Sequence, residues 1–269
     1  MQIYKELNIG TAKPTLGEMC GIKHHLIDIV SIRSARSDPF CVAKYVKLAG
    51  DCAREIAAGG KNVILCGGTG LYIDHFIGST KFADYENDPE YRGELERLPT
   101  GRLYSMLAEI DKESAGRIHQ NNRKRIARAL EIFKVTGKTK SELDELSKLG
   151  EPPYEFVKIG LNYPERESLY DAVNERTSQM MAAGLAEEAS KLYESGAEED
   201  IRRIGAIGYA ELFDCFAGRS GFGEAVEKIK QHTRNYAKRQ LTWFKRDLQT
   251  IWLEPGGDCV KKCLEFAKL

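Results

Sequence analysis

The chain has 269 residues, enough to bury a sizeable core as one large domain or as a core with a smaller domain inserted into it. Its 42% of apolar and 30% of charged residues are ordinary values, which place it among soluble globular proteins and decide little more. Basic and acidic residues balance at 40 each, which argues against a uniformly basic nucleic-acid binder and leaves local clusters of charge as the informative feature.

The first part of the chain predicts a strand, a helix and a second strand. Residues 24–30 and 62–66 are short apolar runs of the kind that form strands covered on both faces. Between them, Asp38 followed by Pro39 predicts the start of a helix that ends at residues 59–60, where two glycines follow one another. This order implies a parallel sheet with helices packed against it.

A glycine-rich turn at residues 67–70 follows the second predicted strand and contains Thr69. Glycines let the backbone turn sharply and approach a ligand closely, and the carboxyl ends of parallel strands are where open α/β sheets bind ligands. Two interpretations stay open, a ligand-binding turn or a tight turn in which Thr69 only caps the next helix. Two interpretations also stay open for the polar turn at residues 7–14, which either contacts phosphate or is only solvated.

Strand-like runs stop after residue 72 and return only at residues 156–161. We therefore predict an α/β core made of residues 1–78 and 151–269, with a helical insertion at residues 79–150. Helices are expected from residue 88, over residues 101–110 and over residues 122–135. The third of these is basic at its start, and its predicted polar face consists of Arg117, Asn121, Lys124, Arg125 and Arg128. That face is either solvated or binds an anionic partner.

The C-terminal half predicts helices over residues 165–184, 185–193 and about 222–247, and a final strand at residues 250–253. Small residues at 205–208 allow close packing or the approach of a ligand. The last helix separates an apolar stripe from a cationic one. Its second half carries five basic residues and no acid before Asp247, which predicts a local positive surface.

Cysteine usage and hydropathy point to the cytoplasm. Seven cysteines are scattered without CxxC pairs, and several lie in apolar runs, which is typical of core residues in a reducing compartment. Cys259 and Cys263 lie four residues apart without a second pair or a nearby histidine, so we expect no zinc site. No apolar run approaches the roughly 18 residues that a membrane span needs, and no signal peptide is visible, so we expect no membrane partner.

Several segments in order across nearly the whole chain resemble the tRNA dimethylallyltransferases, also called tRNA isopentenyltransferases. The segments are 1–4, 9–14, 24–28, 67–72, 125–131, 206–209 and 233–244, and the last is the most specific. The resemblance implies a P-loop NTPase-like fold, a parallel α/β sheet core flanked by helices with a helical insertion. It also implies transfer of a dimethylallyl group from dimethylallyl diphosphate to N6 of the adenosine on the 3′ side of the anticodon, with Mg²⁺ as cofactor and the tRNA anticodon stem-loop as partner.

The resemblance also implies roles for individual residues. Thr69 resembles the threonine of the family's reaction channel, and Arg176 is similar to the helix arginine that binds diphosphate, for which a guanidinium fork is well suited. Gln2 resembles the glutamine that recognises the target adenine, as an amide can pair with an adenine edge. The residues that correspond to tRNA contacts are Arg92, Lys124, Arg125, Arg128, Gly205, Ala206, Ile207, Gly208, Tyr209, Arg234, Lys238 and Arg239.

One departure from the family pattern affects the expected activity. Family members have a first strand, a phosphate-binding loop ending in Gly-Lys-Ser/Thr and an Asp-Ser pair ahead of the residues that correspond to Met1 and Gln2, and the chain contains none of these. The expected general base, the loop lysine and the residues that place Mg²⁺ are therefore not in it. We expect negligible prenyl transfer by these 269 residues, and an exposed sheet where the first strand would pair.

Two alternative functions stay open beside the leading one. The chain could be a non-enzymatic tRNA-binding remnant, or a kinase or transferase that acts on free adenine nucleotides. The basic segments at residues 123–128 and 234–246 argue against a purely small-molecule substrate, because free nucleotides need no long cationic track. We expect a monomer.

Overall fold

The computed structural model describes residues 1–78, 88–147 and 154–268. The chain divides into two compact units, one made of Met1–Phe76 with Glu155–Leu269 and the other of Ile77–Tyr154. The predicted domain borders at residues 79, 150 and 151 lie outside the described residues.

Helices make up most of both units. In chain order they are α1 (Val42–Ala58), α2 (Gly70–Ile77), α3 (Pro89–Arg97), α4 (Thr100–Ile110), α5 (Lys112–Arg117), α6 (Arg123–Thr136), α7 (Lys140–Ser147), α8 (Arg166–Ala182), α9 (Leu185–Glu194), α10 (Glu198–Ile204), α11 (Tyr209–Phe216), α12 (Phe222–Phe244) and α13 (Cys259–Ala267). Short 3-10 helices cover Ile9–Thr11 and Ile32–Ala35. None of the described helices has both the length and the apolar character of a membrane span.

The sheet is small and parallel. Strand β1 (Ile159–Leu161) pairs with β2 (Ile251–Leu253), Ile159 lying opposite Ile251. Gly160 lies under the Trp252 ring, which a Cβ at that position would meet at 2.7 Å, so the glycine lets the two strands approach. The predicted strands at residues 156–161 and 250–253 are confirmed in type, and each is shorter than expected.

Two other predicted strands are wrong. Residues 62–66 pair with no strand in the described part of the chain, and Ile64 is 83% exposed. A strand exists only when a neighbour satisfies its backbone groups, and none of the described residues is such a neighbour. Residues 24–30 contribute only an isolated bridge from Val30 to Tyr4, because Leu26 and Asp28 have φ of 61° and 58°, which breaks an extended run.

The core of the first unit lies among α9, α10, α11 and α12. Leu185, Ile201, Phe213 and Ile229 contribute one side chain each from these helices, and all are buried. The N-terminal segment adds buried side chains to the same cluster, among them Leu7. Ile9 also packs against this cluster, so the motif at residues 9–14 begins beside the helical core.

The second unit packs α3 to α7 around a core that includes Leu95, Leu103 and Ile126. The predicted helix signals are confirmed here, because Asp88 caps α3 at Tyr91 N and Asn122 caps α6 at Arg125 N. Gly137 ends α6 with φ of 68°, a left-handed conformation that favours glycine.

Two local predictions are corrected. Helix α1 begins at Val42, and Cys41 occupies its N-cap position without a side-chain capping hydrogen bond. The Asp38 carboxylate accepts from the Lys44 ammonium and not from a helix N–H. The polar face predicted from Arg117 to Arg128 is not on one helix, because α5 ends at Arg117 and a turn separates it from α6.

Candidate functional site

The glycine turn at residues 67–70 is packed against α12. The Gln240 amide nitrogen donates to the Gly68 carbonyl over 3.0 Å. A Cβ on Gly68 would meet that nitrogen at 1.8 Å, and a Cβ on Gly70 would meet the Trp243 ring at 2.1 Å. Both glycines are therefore needed for this close approach, in which the turn fits around two side chains of the last long helix.

Thr69 lies at the exposed part of this turn. Its carbonyl accepts from the backbone N–H groups of Tyr72 and Ile73, which starts α2. Within the described residues its hydroxyl has no hydrogen-bond partner, so it does not cap the helix and is available to a ligand. Behind it, the rings of Tyr72 and Tyr45 stack with centroids 4.8 Å apart, and burial raises the pKa of Tyr72 to about 12.

A charged cluster fixes α2 to the end of α12. The Trp243 indole N–H donates to Asp74 over 2.7 Å, and the Lys158 ammonium contacts Asp74 at 2.9 Å and Asp247 at 2.6 Å. Burial lowers the pKa of Lys158, but its hydrogen bonds to the two carboxylates outweigh burial and leave the pKa above its ordinary value. Lys158 stays charged and holds three segments around the glycine turn.

Arg176 lies on α8, a helix that packs against α12. Two residues earlier on α8, Asn174 accepts from the Arg234 guanidinium over 2.7 Å. Arg234 precedes Gln240 by six residues, which corresponds to about 9 Å along a helix axis. The structure thus places Arg176 and Thr69 on two elements that contact neighbouring turns of the same helix. The Arg176 guanidinium is exposed and pairs with no carboxylate in the described residues.

Gln2 is held by the turn that follows it. Its amide nitrogen donates to the backbone carbonyls of Thr11 over 3.2 Å and Ala12 over 3.0 Å. Its Oε1 accepts no hydrogen bond from any described residue. The acceptor end of the amide is therefore free, while recognition of an adenine by Gln2 stays a prediction.

The segment at residues 205–209 borders a surface cavity of about 270 Å³. The cavity is lined by Gly205, Ala206, Ile207, Ala210, Glu211, His232, Asn235 and Arg239. The structure therefore brings the predicted RNA-binding segment and Arg239 together. A buried carboxylate supports this wall, since Glu211 accepts from the Gly208 N–H over 2.8 Å and contacts the His232 ring.

Burial separates the members of that segment into two groups. Ala206, Gly208 and Tyr209 are buried, and Tyr209 has 0% exposure. These three residues are buried in this structure, and their contact with tRNA stays a prediction. Gly205 and Ile207 reach the surface and keep the predicted role open.

Glu188 is a residue that the sequence reasoning missed. Its carboxylate accepts from the Tyr209 hydroxyl and from the backbone N–H groups of residues 8–10. An acid in the first turn of a helix is ordinary, because it complements the helix dipole, and that common role gives no signal of a distant partner.

The cations of α12 fall into two groups. Lys228 and Lys230 pair with Glu224 and Glu227 at 2.7 and 2.8 Å. The basic residues of the predicted positive surface, farther along the helix, pair with no carboxylate in the described residues. They are Arg234, Lys238 and Arg239 on α12 and Lys245 and Arg246 directly after it, and all of them except the half-buried Arg234 are exposed. The predicted positive surface is therefore real, and it is confined to the end of the helix near the glycine turn.

The predicted basic residues of the second unit also differ in whether they form ion pairs. Glu131 is only 3% exposed and accepts from the Arg92 and Arg128 guanidiniums, so these two arginines serve the fold. Lys124 and Arg125 are exposed and form no ion pair in the described part of the chain. They are the members of the set that an anion can reach without breaking a native contact.

Comparisons with known proteins agree on one family. A family model described as IPP transferase matches residues 2–247. A tRNA dimethylallyltransferase of Bacillus cytotoxicus is 44% identical over 258 residues, which are 94% of this chain and 79% of that protein. The crystal structure of the full-length tRNA isopentenylpyrophosphate transferase from Bacillus halodurans is 40% identical with a TM-score of 0.68, covering 99% of this chain and 83% of that one. A eukaryotic dimethylallyltransferase acting on tRNA, 24% identical, shares the fold at a TM-score of 0.84 over 100% of this chain and 70% of its own.

Proposed function

Because the chain belongs to the IPP transferase family, we propose that it supplies the tRNA-binding surface and part of the reaction channel for dimethylallyl transfer to a tRNA adenosine. The observation that carries the proposal is the contact between the glycine turn and α12. Gly68 and Gln240 are 172 residues apart, both lie in segments that resemble the family, and they meet beside the exposed hydroxyl of Thr69. A positive surface on the same helix adjoins this junction.

The proposed reaction joins the N6 amine of the adenosine to C1 of the dimethylallyl group. The bond from C1 to the diphosphate oxygen breaks, diphosphate leaves with the electron pair, and N6 loses a proton. This step requires a target base held outside its stack, a proton acceptor and stabilisation of the leaving diphosphate.

In this proposal three side chains have roles that their surroundings support. Thr69 contributes a hydroxyl that no described residue contacts by a hydrogen bond, and Arg176 offers to the diphosphate a guanidinium that pairs with no described carboxylate. Gln2 presents Oε1 to the target base. The proton acceptor is not assigned to a residue.

Magnesium is expected with a diphosphate substrate, whose phosphate oxygens are themselves ligands for it. No group of three or more His, Cys, Asp or Glu side chains in the described ranges could hold a metal ion. The proposal therefore gives the ion no protein ligand and no step.

The positive surface at the end of α12 binds the phosphates of the anticodon stem in this proposal. Phosphate contacts position an RNA and make its affinity depend on salt, while contacts with bases provide specificity. Lys238, Arg239, Lys245 and Arg246 form no ion pair with a described residue that would have to break before they contact a phosphate.

The test is binding of a synthetic anticodon stem-loop by gel shift, with ATP and AMP as competitors. We expect salt-dependent binding that free nucleotides do not displace. Arg176→Ala lowers retention of added inorganic diphosphate. Arg166→Ala on the same helix is the matched control, because that guanidinium already contacts the Tyr170 hydroxyl at 2.7 Å.

The outcomes distinguish the alternatives. Binding of ATP or AMP without binding of the stem-loop would contradict the proposal and favour a small-molecule enzyme. Mass spectrometry of the nucleosides after incubation with dimethylallyl diphosphate and Mg²⁺ measures transfer itself. The negligible transfer expected from the sequence stays a prediction that this assay checks.

A further inference from the structure

The Glu188 carboxylate is surrounded by donors from the N-terminal segment. It accepts from the N–H groups of Asn8 at 3.3 Å, Ile9 at 3.1 Å and Gly10 at 3.4 Å, and from the Tyr209 hydroxyl at 2.5 Å. No described cation pairs with it. Hydrogen bonds to a charged acceptor are about twice as strong as neutral ones, so this carboxylate anchors the turn at residues 8–10.

Tyr209 closes the same turn from its other side. A Cβ on Gly10 would lie 2.6 to 2.8 Å from three atoms of the Tyr209 side chain, so only a glycine permits this contact. The Gly10 N–H also donates to the Tyr209 hydroxyl over 3.2 Å. Burial and the hydrogen bond to Glu188 raise the pKa of Tyr209 well above its ordinary value, so it remains a hydroxyl donor.

The anchored turn continues into the two carbonyls that hold Gln2. Thr11 and Ala12 offer only backbone oxygens to the Gln2 side chain, and an oxygen accepts only from an N–H or O–H group. The amide must therefore turn its nitrogen toward the turn. Its Oε1 then faces away from the turn. The position of residues 11 and 12 therefore decides which end of the amide is the free acceptor.

The direction of this amide distinguishes adenine from purines that carry an oxygen at position 6. An acceptor at Oε1 can receive a hydrogen from the N6 amine of adenine, whereas hypoxanthine and guanine carry an O6 acceptor at that position. Two acceptors that face each other repel and leave both unsatisfied. A fixed Oε1 therefore favours adenine.

We propose that Glu188 is a positioning residue for this base choice. By holding residues 8–10 it sets the Thr11 and Ala12 carbonyls, and these carbonyls keep Oε1 of Gln2 directed at the target base. The inference rests on the proposed function, in which Gln2 meets the adenine that is modified.

The test compares two anticodon stem-loops that differ only in adenosine or inosine at the target position. We expect the protein to bind the adenosine form about tenfold more tightly, which corresponds to 1.4 kcal/mol. Gln2→Ala removes this preference. Glu188→Gln lowers it to nearly the Gln2→Ala value, because an amide group cannot accept at both of its terminal atoms. Glu187→Gln, with the same change of charge one residue earlier on an exposed side chain, keeps it.

The ratio of the two affinities separates positioning from a loss of stability, because a partly unfolded variant binds both stem-loops more weakly by the same factor. If Glu188→Gln does not fold, as judged by circular dichroism, Tyr209→Phe keeps the ring and removes one donor from the carboxylate. It should lower the ratio less, in the same direction.

An unchanged ratio in Glu188→Gln or in a folded Tyr209→Phe, with the ratio lost in Gln2→Ala, would overturn the inference and leave the proposed function standing. A protein with no preference for adenosine, or with no binding of either stem-loop, would overturn the role of Gln2 and the inference together.

Discussion

Replacing Gly70 by alanine tests whether the glycine turn is shaped by α12. The new Cβ would lie 2.1 Å from Cδ1 and 2.4 Å from Nε1 of Trp243, distances that no native packing tolerates. The indole cannot move freely to relieve this contact, because its N–H donates to Asp74 over 2.7 Å and Asp74 is held in turn by Lys158. Relief therefore requires the loss of a hydrogen bond to a charged group.

Two costs and one gain set the expected change in the free energy of unfolding. Losing a hydrogen bond to a carboxylate costs about 1.5–3 kcal/mol, and overpacking of this kind costs about 1–3 kcal/mol. Alanine gains up to about 1 kcal/mol over glycine within a helix, and Gly70 is the first residue of α2. We expect a net loss of about 1.5–5 kcal/mol in the free energy of unfolding.

Urea denaturation followed by circular dichroism measures this loss as a lower transition midpoint with an unchanged slope. Gly67→Ala is the matched control, since a Cβ there has no atom within 4 Å, and its midpoint should hardly change. Stem-loop binding should weaken in Gly70→Ala alone. Equal midpoints for the two variants would refute the argument that Trp243 requires a glycine at position 70.

Three further predictions concern charge. Glu131→Gln should lower the free energy of unfolding by about 1–3 kcal/mol in urea denaturation, because a buried acceptor of two arginines loses its charge. Lys238→Ala should weaken stem-loop binding and reduce the slope of log affinity against log salt by about one. The hydrogen bond from Arg36 holds the pKa of Asp200 below its ordinary value, so its contribution to stability is complete above the unfolded pKa of about 3.9 and is lost as the pH falls through the folded pKa. Asp200→Asn should therefore lower the thermal midpoint at pH 7, and the difference from the unchanged protein should shrink below about pH 4.

Each of these predictions has its own control. Glu94→Gln changes an exposed carboxylate in the same unit and should leave the urea midpoint unchanged. Lys228→Ala removes a cation that Glu224 already neutralises, so the slope of log affinity against log salt should stay near the original value. Equal slopes for the two lysine variants would argue against the separation of the α12 cations into those that pair with a described carboxylate and those that do not. A thermal difference for Asp200→Asn that persists undiminished at pH 3 would contradict the linkage argument.

Helix starts show how far the sequence alone predicts local structure. The sequence predicts helix starts at residues 88 and 122, and the structure caps α3 with Asp88 and α6 with Asn122, because capping depends on groups within a few residues. The same local reasoning was wrong for Asp38, whose carboxylate pairs with a lysine side chain instead of capping a helix.

Family membership was also within reach of the sequence. The ordered segments from residue 1 to residue 244 identify the IPP transferase family, and the family model matches residues 2–247. Such segments keep their identity and order in the chain whatever their three-dimensional arrangement. The segments did not reveal which of their residues face solvent, so Tyr209 was predicted at the RNA surface although its side chain is buried.

The sequence by itself determined the helices, the local positive charge and the family, since each depends on residues close together in the chain or on their order. Only the tertiary structure decided that residues 62–66 form no strand, that Glu188 anchors the turn at residues 8–10 and that Lys238, unlike Lys228, pairs with no described carboxylate. These outcomes depend on which distant groups come within a few ångströms, because a strand needs a partner and a charge is neutralised only by a neighbour in space.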